Sequence, residues 1–293
     1  NGLNEIYNDS TPTLNISNPI LKEYVDPNSV EKYTIRKGEK KFLIYSDRVN
    51  SEKIKNDPSF IKIKNHLDRY SDFITSSNKP YGIHRARKSR YFEEPKILFK
   101  GMFKVPEVHY DESKLYVGLS FSCIVNRTKE ISLKALTAIL NSKLGEYWFK
   151  MNGKLRGTGV DIGVSKLKEF PLVKSDENYK ISIMVDYLLF LNNNKDILSH
   201  TDNKSISAHI ERVLDMMVYE LYFTGHMKEQ GLNVLEFIKP KPITKNTTNE
   251  QKSEIIKNFY EWYQEPENAV RQRMLLVETR SPDILAVIIG SAE

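Results

Sequence analysis

The sequence predicts an α+β fold, with a mixed α/β part over residues 1–175 followed by an all-helical part over residues 176–293. Short runs of strand-forming residues are confined to the first part. The second part instead carries apolar residues at helical spacing. The chain is long enough for one large domain or two ordinary ones, and it contains no internal repeat.

The first 35 residues are expected to be irregular, because prolines interrupt them. The run KKFLIYS at residues 40–46 is predicted to be a short strand. A helix is expected to begin at Asp57-Pro58, since an acidic cap followed by proline in the first turn favours helix initiation. Apolar residues then continue at helical spacing as far as Ile74.

The stretch from Lys79 to Lys104 combines many cations with aromatic residues. Its cations are Lys79, Arg85, Arg87, Lys88, Arg90, Lys96, Lys100 and Lys104. Its aromatics are Tyr81, Tyr91, Phe92, Phe99 and Phe103. The run YGIHRAR alternates apolar and polar residues, which predicts a strand over residues 81–87. The run KILFKGMF predicts a second strand over residues 96–103, so the two would form a basic hairpin.

Three further segments complete the first part. Residues 115–125 are rich in strand formers. A helix is expected after Ser132, with an apolar stripe that reaches Trp148. Residues 152–172 contain four glycines, at positions 153, 157, 159 and 163, which predicts a loop able to bring its backbone close to a ligand, followed by a short helix or strand.

Helices dominate the remainder of the chain. Apolar spacing predicts one helix around residues 181–191 and another over residues 206–221, stopped near Gly225. Residues 239–251 have the composition of a linker. A further helix is expected over residues 255–263, and Ser281-Pro282 is expected to begin the last one.

Composition restricts the class of protein. The net charge of +6 suits an anionic partner. Cys123 is the only cysteine, so no internal disulfide can form, which indicates a reducing, cytoplasmic compartment. No apolar run approaches the roughly 20 residues of a membrane-spanning helix, and no signal peptide is recognised, so no membrane partner is expected. The chain begins at Asn1 without methionine, which suggests a fragment of something longer.

The basic segment has two interpretations. In a strand, Tyr81, Ile83, Arg85 and Arg87 would share one side. Two strands carrying arginines, lysines and aromatics would make a nucleic-acid reader, because cations neutralise phosphate and guanidinium groups bind guanine edges. The alternative is a hairpin whose basic face is merely solvated. His84 in this segment either donates to a base edge or packs.

A second group of candidates lies in the glycine-rich loop. Lys154 and Arg156 there, with Thr158, would contact phosphate, unless the loop is simply exposed. The aromatic run 147–149 ends an apolar helix stripe and is therefore interpreted as core rather than as a platform for stacking bases.

Catalytic and metal-binding patterns are missing from the sequence. It contains no phosphate-binding loop, no dinucleotide-binding glycine pattern and no GxSxG motif. The six histidines show no metal-ligand spacing, and a single cysteine does not build a zinc site. Glu112-Ser113-Lys114 has the spacing of a nuclease motif, but three letters carry little information and a surface turn explains them as well.

Several segments taken in order resemble a known family. GLNE at residues 2–5 is similar to a turn that follows the family's catalytic domain. The family's order is followed by NHLDRY at 65–70, YGIHRAR followed by EEPKILF, LTAILNSKLGEYWF at 136–149 and LKEFPL at 167–172. Together they resemble the TaqI-like C-terminal specificity domain of adenine-N6 DNA methyltransferases and of fused type II restriction–modification enzymes. The run IERVLDMMVYELY at 210–222 resembles a helix found behind such domains in fused enzymes.

This resemblance implies a function in target recognition. The family's catalytic motif is Asn/Asp-Pro-Pro-Tyr/Phe, whereas Asn18-Pro19-Ile20-Leu21 lacks the second proline and the aromatic. The catalytic domain, with its S-adenosylmethionine, is therefore expected to precede Asn1, and Mg²⁺ would be needed only if the parent carries a nuclease. Family members have tryptophan where this chain has Tyr81, which puts a stacking function there in doubt.

The expected function is sequence-specific recognition of double-stranded DNA on behalf of the parent's own catalytic domain. This chain would hold no cofactor, metal or catalytic residue. The candidate DNA-binding residues are His84, Arg85, Arg87, Lys88, Arg90, Tyr91, Lys100, Lys154, Arg156 and Thr158. Residues 1–175 would be the recognition domain and residues 176–293 a helical extension that braces it. Two alternatives remain: an RNA-binding or RNA-processing module, and a helical scaffold for protein interactions.

Overall fold

All described strands lie within residues 21–161 and only helices follow them, which confirms the α+β prediction. The computed structural model describes residues 18–36, 38, 40–127 and 130–292. The strands are β1 (Leu21–Val25), β2 (Val30–Glu31), β3 (Thr34–Ile35), β4 (Lys41–Ile44), β5 (Lys96–Lys100), β6 (Met102–Phe103), β7 (Val108–Asp111), β8 (Tyr116–Val117), β9 (Phe121–Val125), β10 (Lys154–Arg156) and β11 (Gly159–Asp161).

Helices occur throughout and form every described element after β11. They are α1 (Arg48–Asn56), α2 (Ile61–Asp68), α3 (Arg90–Glu93), α4 (Leu133–Asn141), α5 (Lys143–Asn152), α6 (Val164–Leu167), α7 (Asn178–Leu191), α8 (Asn203–Tyr222), α9 (Thr224–Glu229), α10 (Asn249–Gln264), α11 (Ala269–Leu275), α12 (Val277–Arg280) and α13 (Leu285–Ala292).

The chain passes more than once between two compact units. Within the described residues, the first unit comprises 18–26, 38, 40–94 and 112–118, and the second comprises 27–36, 95–111, 119–127 and 130–292. The predicted functional division near residue 175 concerns modules along the sequence, and it stays a prediction.

The first unit is built on a three-stranded sheet of order β4-β1-β8. Strand β1 pairs antiparallel with β4 and parallel with β8. A small core of Ile20, Ile54 and Ile63 lies beside the sheet, where α1 and α2 supply one buried isoleucine each. Helix α1 begins where the Asp47 carboxylate accepts a hydrogen bond from Asn50 N at 2.8 Å, which satisfies one of the unpaired amides of the first turn.

The second unit is built on the antiparallel sheet β7-β5-β9. Central strand β5 is an almost continuous buried run, as expected for a strand covered on both faces. The amide of Asn141, at the end of α4, donates to Val108 O at 2.8 Å and accepts from Val108 N at 2.9 Å. This side chain therefore satisfies the backbone groups of Val108 at the outer edge of β7, where Tyr33 N also donates to Val108 O at 3.3 Å.

The helix expected after Ser132 is divided at Ser142. The backbone of Ser142 is extended, with φ −70° and ψ 162°, and its hydroxyl accepts from Gly145 N at 3.1 Å to cap α5. A Cβ at Gly145 would lie 2.5 Å from Ile139 O, so the close passage of the two helices requires glycine there. The sequence LNSKLG thus encodes a break rather than a continuous helix.

The helices expected in the second part are confirmed, and side chains at their first turns show where two of them begin. Helix α8 begins at Asp202, whose carboxylate accepts from Ser205 N at 2.7 Å. Helix α10 begins with a capping box between Thr248 and Gln251. The buried carboxylate of Glu220 accepts from Leu235 N at 2.7 Å and also from Val234 N, which fixes the turn after α9.

Several boundaries correct the sequence predictions. Residues 18–35 are not irregular, since they form β1 to β3, while residues 1–17 lie outside the described part of the chain. The helix expected from Asp57 to Ile74 ends at Asp68 and begins as a 3₁₀ turn capped by the Asp57 carboxylate. Helix α1 was missed, because its only buried residue is Ile54 and it therefore leaves no apolar stripe.

Prediction for the sheet of the second unit. Lys96 and Asp111 face each other across β5 and β7 as an ion pair whose side chains are 0% and 1% exposed. The substitution Asp111→Leu should lower the free energy of unfolding by about 3–5 kcal/mol, because a buried ammonium loses its carboxylate. The double variant Lys96→Met/Asp111→Leu should recover most of that loss in urea denaturation. Strictly additive losses would contradict the interpretation of the pair.

Prediction for the pH dependence of stability. Asp215 on α8 accepts from Lys143 N at 2.8 Å, and burial raises the pKa of its carboxyl to about 7. The native state therefore holds a proton that the unfolded chain releases above pH ~4, so this group lowers the unfolding free energy as pH rises from about 4 to 7. His109 acts in the opposite direction, since burial lowers its pKa to about 4.

The wild type and the Asp215→Asn variant both contain His109, so the difference between their unfolding free energies reports on Asp215 alone. The advantage of the variant over the wild type should grow between pH 5 and pH 7 in urea denaturation and then level off. The amide oxygen of asparagine still accepts from Lys143 N. An advantage that is equal at pH 5 and pH 8 would contradict the assigned pKa.

Candidate nucleic-acid interface

Residues 83–89 of the first unit form an irregular segment whose backbone is tied down by its neighbours. Ile83 N donates to Ser46 O at 2.9 Å. The amide of Asn78 donates to the carbonyls of Ile83 at 2.9 Å and His84 at 3.1 Å. The hydroxyl of buried Tyr45 donates to Arg87 O. Burial raises the pKa of Tyr45, so its phenol remains a donor. We call residues 83–89 the tethered segment.

The cationic side chains of the tethered segment take no part in these bonds. Arg85, Arg87 and Lys88 are exposed, and none of them forms a hydrogen bond or an ion pair through its side chain with the residues that the structure describes. A guanidinium group offers five N–H donors in a rigid plane and is more weakly hydrated than an ammonium. The combination is a fixed backbone that presents cationic donors to solvent.

Both ends of the tethered segment are anchored by aromatic residues. Before it, Tyr81 donates to Asp68 Oδ1 at 2.7 Å, and Lys64 pairs with Asp68 at 2.6 Å. After it, helix α3 buries Phe92, whose ring stacks on Tyr116 with centroids 4.5 Å apart. These contacts limit the conformational freedom of the chain between them.

Glu93 completes the anchor at the end of α3. Its carboxylate accepts from Lys22 Nζ at 2.8 Å and from Tyr116 OH at 2.9 Å. The two hydrogen bonds lower the pKa of Glu93, so it is ionised at neutral pH. This acidic residue is thus used within the unit and does not neutralise the tethered segment.

The hairpin β10–β11 belongs to the second unit and carries the other candidates. Gly157, with φ +59°, and Thr158 form its two-residue turn, in which glycine takes the left-handed conformation that hairpin turns require. Lys154 and Thr158 are exposed, and Arg156 Nε pairs with Asp161 at 2.7 Å. Because this pair is largely exposed, it is weak and an anion can replace the carboxylate.

The described part of the chain was compared with three other kinds of site: a metal centre, a reactive thiol and a membrane-spanning helix. No group of three or more His, Cys, Asp and Glu side chains there is arranged to hold a metal ion. Burial raises the pKa of the Cys123 thiol to about 11, so it is not a thiolate nucleophile at neutral pH. None of the described helices has the length and hydropathy needed to cross a membrane.

Comparison with known families agrees with this geometry. Residues 28–172 match the family model of the TaqI-like C-terminal specificity domain. This segment is a TaqI-like C-terminal specificity domain. Membership implies a DNA-recognition module of methyltransferases or restriction enzymes. No curated protein matches the chain. The resemblance recognised between residues 65 and 172 is therefore confirmed, whereas the resemblances of residues 2–5 and 210–222 lie outside the matched segment and stay predictions.

The specificity domain does not contain the predicted basic hairpin. The strand expected at residues 81–87 is wrong, whereas the one expected from residue 96 is confirmed as β5 and β6. Alternation of side chains was a misleading signal, since these backbone groups bond to Asn78, Tyr45 and Ser46 rather than to a ladder. A Cβ at Gly82 would lie 2.7 Å from Asn78 O, which marks a tight turn.

The sequence-predicted residues are distributed over both units. His84, Arg85, Arg87, Lys88, Arg90 and Tyr91 lie in the first unit, and Lys100, Lys154, Arg156 and Thr158 lie in the second. His84 Nδ1 is 2.8 Å from Ser77 Oγ. The Arg90 guanidinium lies over the Tyr91 ring at 5.1 Å, and its Nη2 donates to the Tyr91 hydroxyl at 3.4 Å.

Lys100 is more engaged in the fold than the sequence suggested, whereas the aromatic run 147–149 lies where it was predicted. Lys100 forms an ion pair with Glu107, and only 13% of its side chain is exposed. Phe149 is fully buried and packs against Phe99 and Phe103, which confirms that this aromatic run belongs to the core. The loop expected from residue 152 is instead the hairpin β10–β11 followed by α6.

One cation of the specificity domain was missed. Arg48 is exposed at the start of α1 and has no hydrogen bond or ion pair with the described residues through its side chain. It lies two residues after Ser46, whose carbonyl accepts a hydrogen bond from Ile83 N. The available signal was the Asp47 cap, but an acidic residue before a basic one occurs too often to identify a site.

Prediction for the tethered segment. The substitution Asn78→Ala removes both amide donors to Ile83 O and His84 O, so amide exchange in peptides covering residues 83–89 should accelerate while β5 is unchanged. Hydrogen–deuterium exchange with mass spectrometry measures this directly. The control is Asn56→Ala, whose amide donates to the exposed Glu52. Unchanged exchange in Asn78→Ala would show that other contacts hold the segment.

Proposed function

We propose that this chain recognises a specific sequence in double-stranded DNA through the tethered segment. Arg85, Arg87 and Lys88, with Arg90 beside them, make the primary contacts. Arg48 extends the same surface. The observation that carries the proposal is the coexistence of a restrained backbone with exposed cationic side chains, which no described residue pairs, in a domain of the TaqI-like specificity family.

Restraint of the backbone favours specific binding. Ordering a flexible loop on binding costs about 1–2 kcal/mol per residue in backbone entropy, and the tethers remove much of that cost before DNA arrives. An arginine that binds a guanine edge through two hydrogen bonds supplies about 1–3 kcal/mol of discrimination between bases. The segment is therefore suited to read sequence as well as to bind charge.

The remaining candidates are assigned to the DNA backbone. Lys154, Arg156 and Thr158 on the hairpin offer two cations and a hydroxyl, which are typical phosphate contacts. His84, within the tethered segment, and Tyr91, just after it, are assigned a secondary part in the same DNA contact. Lys100 ranks last, because its ammonium is already paired with Glu107.

The proposed parent is an adenine-N6 DNA methyltransferase or a fused restriction–modification enzyme. Its catalytic domain would bind S-adenosylmethionine, and a nuclease, if the parent has one, would use Mg²⁺. A reader is needed because the amino group of adenine is reached only after the base leaves the stack. Residues 1–175 would be the recognition domain and residues 176–293 a helical brace. The proposal includes a cytoplasmic location, where Cys123 stays reduced.

Prediction for DNA binding. A bound sequence is first selected from a randomised duplex library. The triple variant Arg85→Ala/Arg87→Ala/Lys88→Ala should then bind it at least tenfold more weakly by fluorescence anisotropy. The slope of log affinity against log salt should decrease by about one for each phosphate that the variant no longer neutralises. The double variant without Lys88→Ala should show reduced selectivity as well as reduced affinity.

The matched control removes the same charge from the helical part. Lys204, Lys228 and Lys245 are exposed, and their triple alanine variant should bind DNA like the wild type. Equal weakening by the two triple variants would refute the assignment of the site. Preference for single-stranded RNA would indicate the RNA-binding alternative, and absence of nucleic-acid binding would indicate a protein scaffold.

A further inference from the structure

A cavity of about 620 Å³ lies among the helices of the second unit, outside the specificity domain for all but one of its lining residues. It is enclosed by α8, the end of α10, α11 and α12, with contributions from α13 and from Lys143 at the start of α5. Its volume is within the range of about 300–1,000 Å³ that is typical of small-molecule sites. Nothing in the proposed DNA contact uses it.

Two guanidinium groups line this cavity beside the same tyrosine. Arg212 is exposed and has no hydrogen bond or ion pair with the described residues through its side chain. Arg271 uses Nη1 to donate to Gln264 O at 2.6 Å, which leaves its other donors available. Burial raises the pKa of Tyr263, and the positive charges of Arg212 and Arg271 oppose that rise, which is consistent with both lying near its ring. Paired guanidinium groups favour an oxyanion such as phosphate.

The wall beside these arginines is aromatic and apolar. The Tyr263 ring contacts His209 edge to face at 5.6 Å, and its hydroxyl lies 3.7 Å from Met274 Sδ. Leu275 at the wall is 71% exposed. Polarisable and aromatic groups of this kind contact the faces of planar rings.

Two carboxyl groups line the cavity, those of Asp215 and of the exposed Glu278. Asp215 lines the cavity and keeps one hydrogen bond to Lys143 N. Near neutral pH both of its protonation states are populated. It can therefore donate to or accept from the polar edge of a base, or accept from a ribose hydroxyl. Inorganic phosphate would satisfy the arginines but would leave the apolar wall and this carboxyl unused.

We propose that the cavity binds a free nucleoside phosphate. Arg212 and Arg271 hold the phosphate, Tyr263 and Met274 contact the base, and Asp215 hydrogen-bonds a polar edge of the ligand. This inference is independent of the proposed DNA contact, because it rests on different residues.

The test is isothermal titration of the full chain with each of the four nucleoside 5′-monophosphates, with inorganic phosphate and adenosine as partial ligands. At least one monophosphate should bind saturably, and tenfold or more tightly than either partial ligand. Arg212→Ala should weaken that binding at least tenfold, since it removes a hydrogen bond to a charged group.

Lys204→Ala on the same helix and the variant lacking Arg85, Arg87 and Lys88 should bind like the wild type. The melting temperature of each variant establishes that it is folded, and Arg212→Glu gives a second perturbation at the same exposed position.

Absence of saturable binding by all four monophosphates would overturn the proposal. So would unchanged affinity in both folded Arg212 variants, or inorganic phosphate that binds as tightly as the monophosphates. Tighter binding of a short single-stranded oligonucleotide, abolished in the same variants, would overturn a free nucleotide as the ligand.

Discussion

An irregular segment has no hydrogen-bond ladder of its own, so its shape depends on donors supplied from elsewhere. In this protein the donors and acceptors are the phenol of Tyr45, the amide of Asn78 and the carbonyl of Ser46, which together hold residues 83–89. Each bond is modest, at about 0.5–1.5 kcal/mol net, but together they restrict a segment that carries three exposed cations. The mechanism of DNA recognition proposed above depends on this restriction.

The surrounding structure explains how these tethers are themselves held. Tyr45 follows β4 and is packed against Phe92 and Tyr116, while Ser46 immediately precedes the cap of α1. Tyr116 of β8 and Tyr45 next to β4 therefore connect the small sheet β4-β1-β8 to α3, which follows the segment. The larger sheet β7-β5-β9 is stabilised differently, by a buried β5, a buried ion pair and the amide of Asn141.

The sequence predicted those features whose causes are local. The helix stripes of α7, α8 and α10, the strand at β5 and the Asp57 cap follow from spacing and capping chemistry within a few residues. The strand predicted at 81–87 rested on the alternation of Arg85 and Arg87 with small or apolar neighbours. The hydrogen bonds that determine the backbone there come instead from Tyr45, Ser46 and Asn78, so the prediction was wrong. Hydrogen bonds between residues that lie several to tens of positions apart leave no periodic pattern in the sequence. The nucleotide-sized cavity is assembled from several helices, so no single stretch of sequence indicates it.

The central claim is that exposed guanidinium groups on a restrained segment bind duplex DNA. Arginine modification by phenylglyoxal, read out by mass spectrometry with and without saturating duplex, tests it most directly. In the free protein Arg85 and Arg87 should react readily, and in the complex they should be protected, while Arg212 reacts equally in both states. Equal labelling of Arg85 and Arg87 with and without bound DNA would contradict the account.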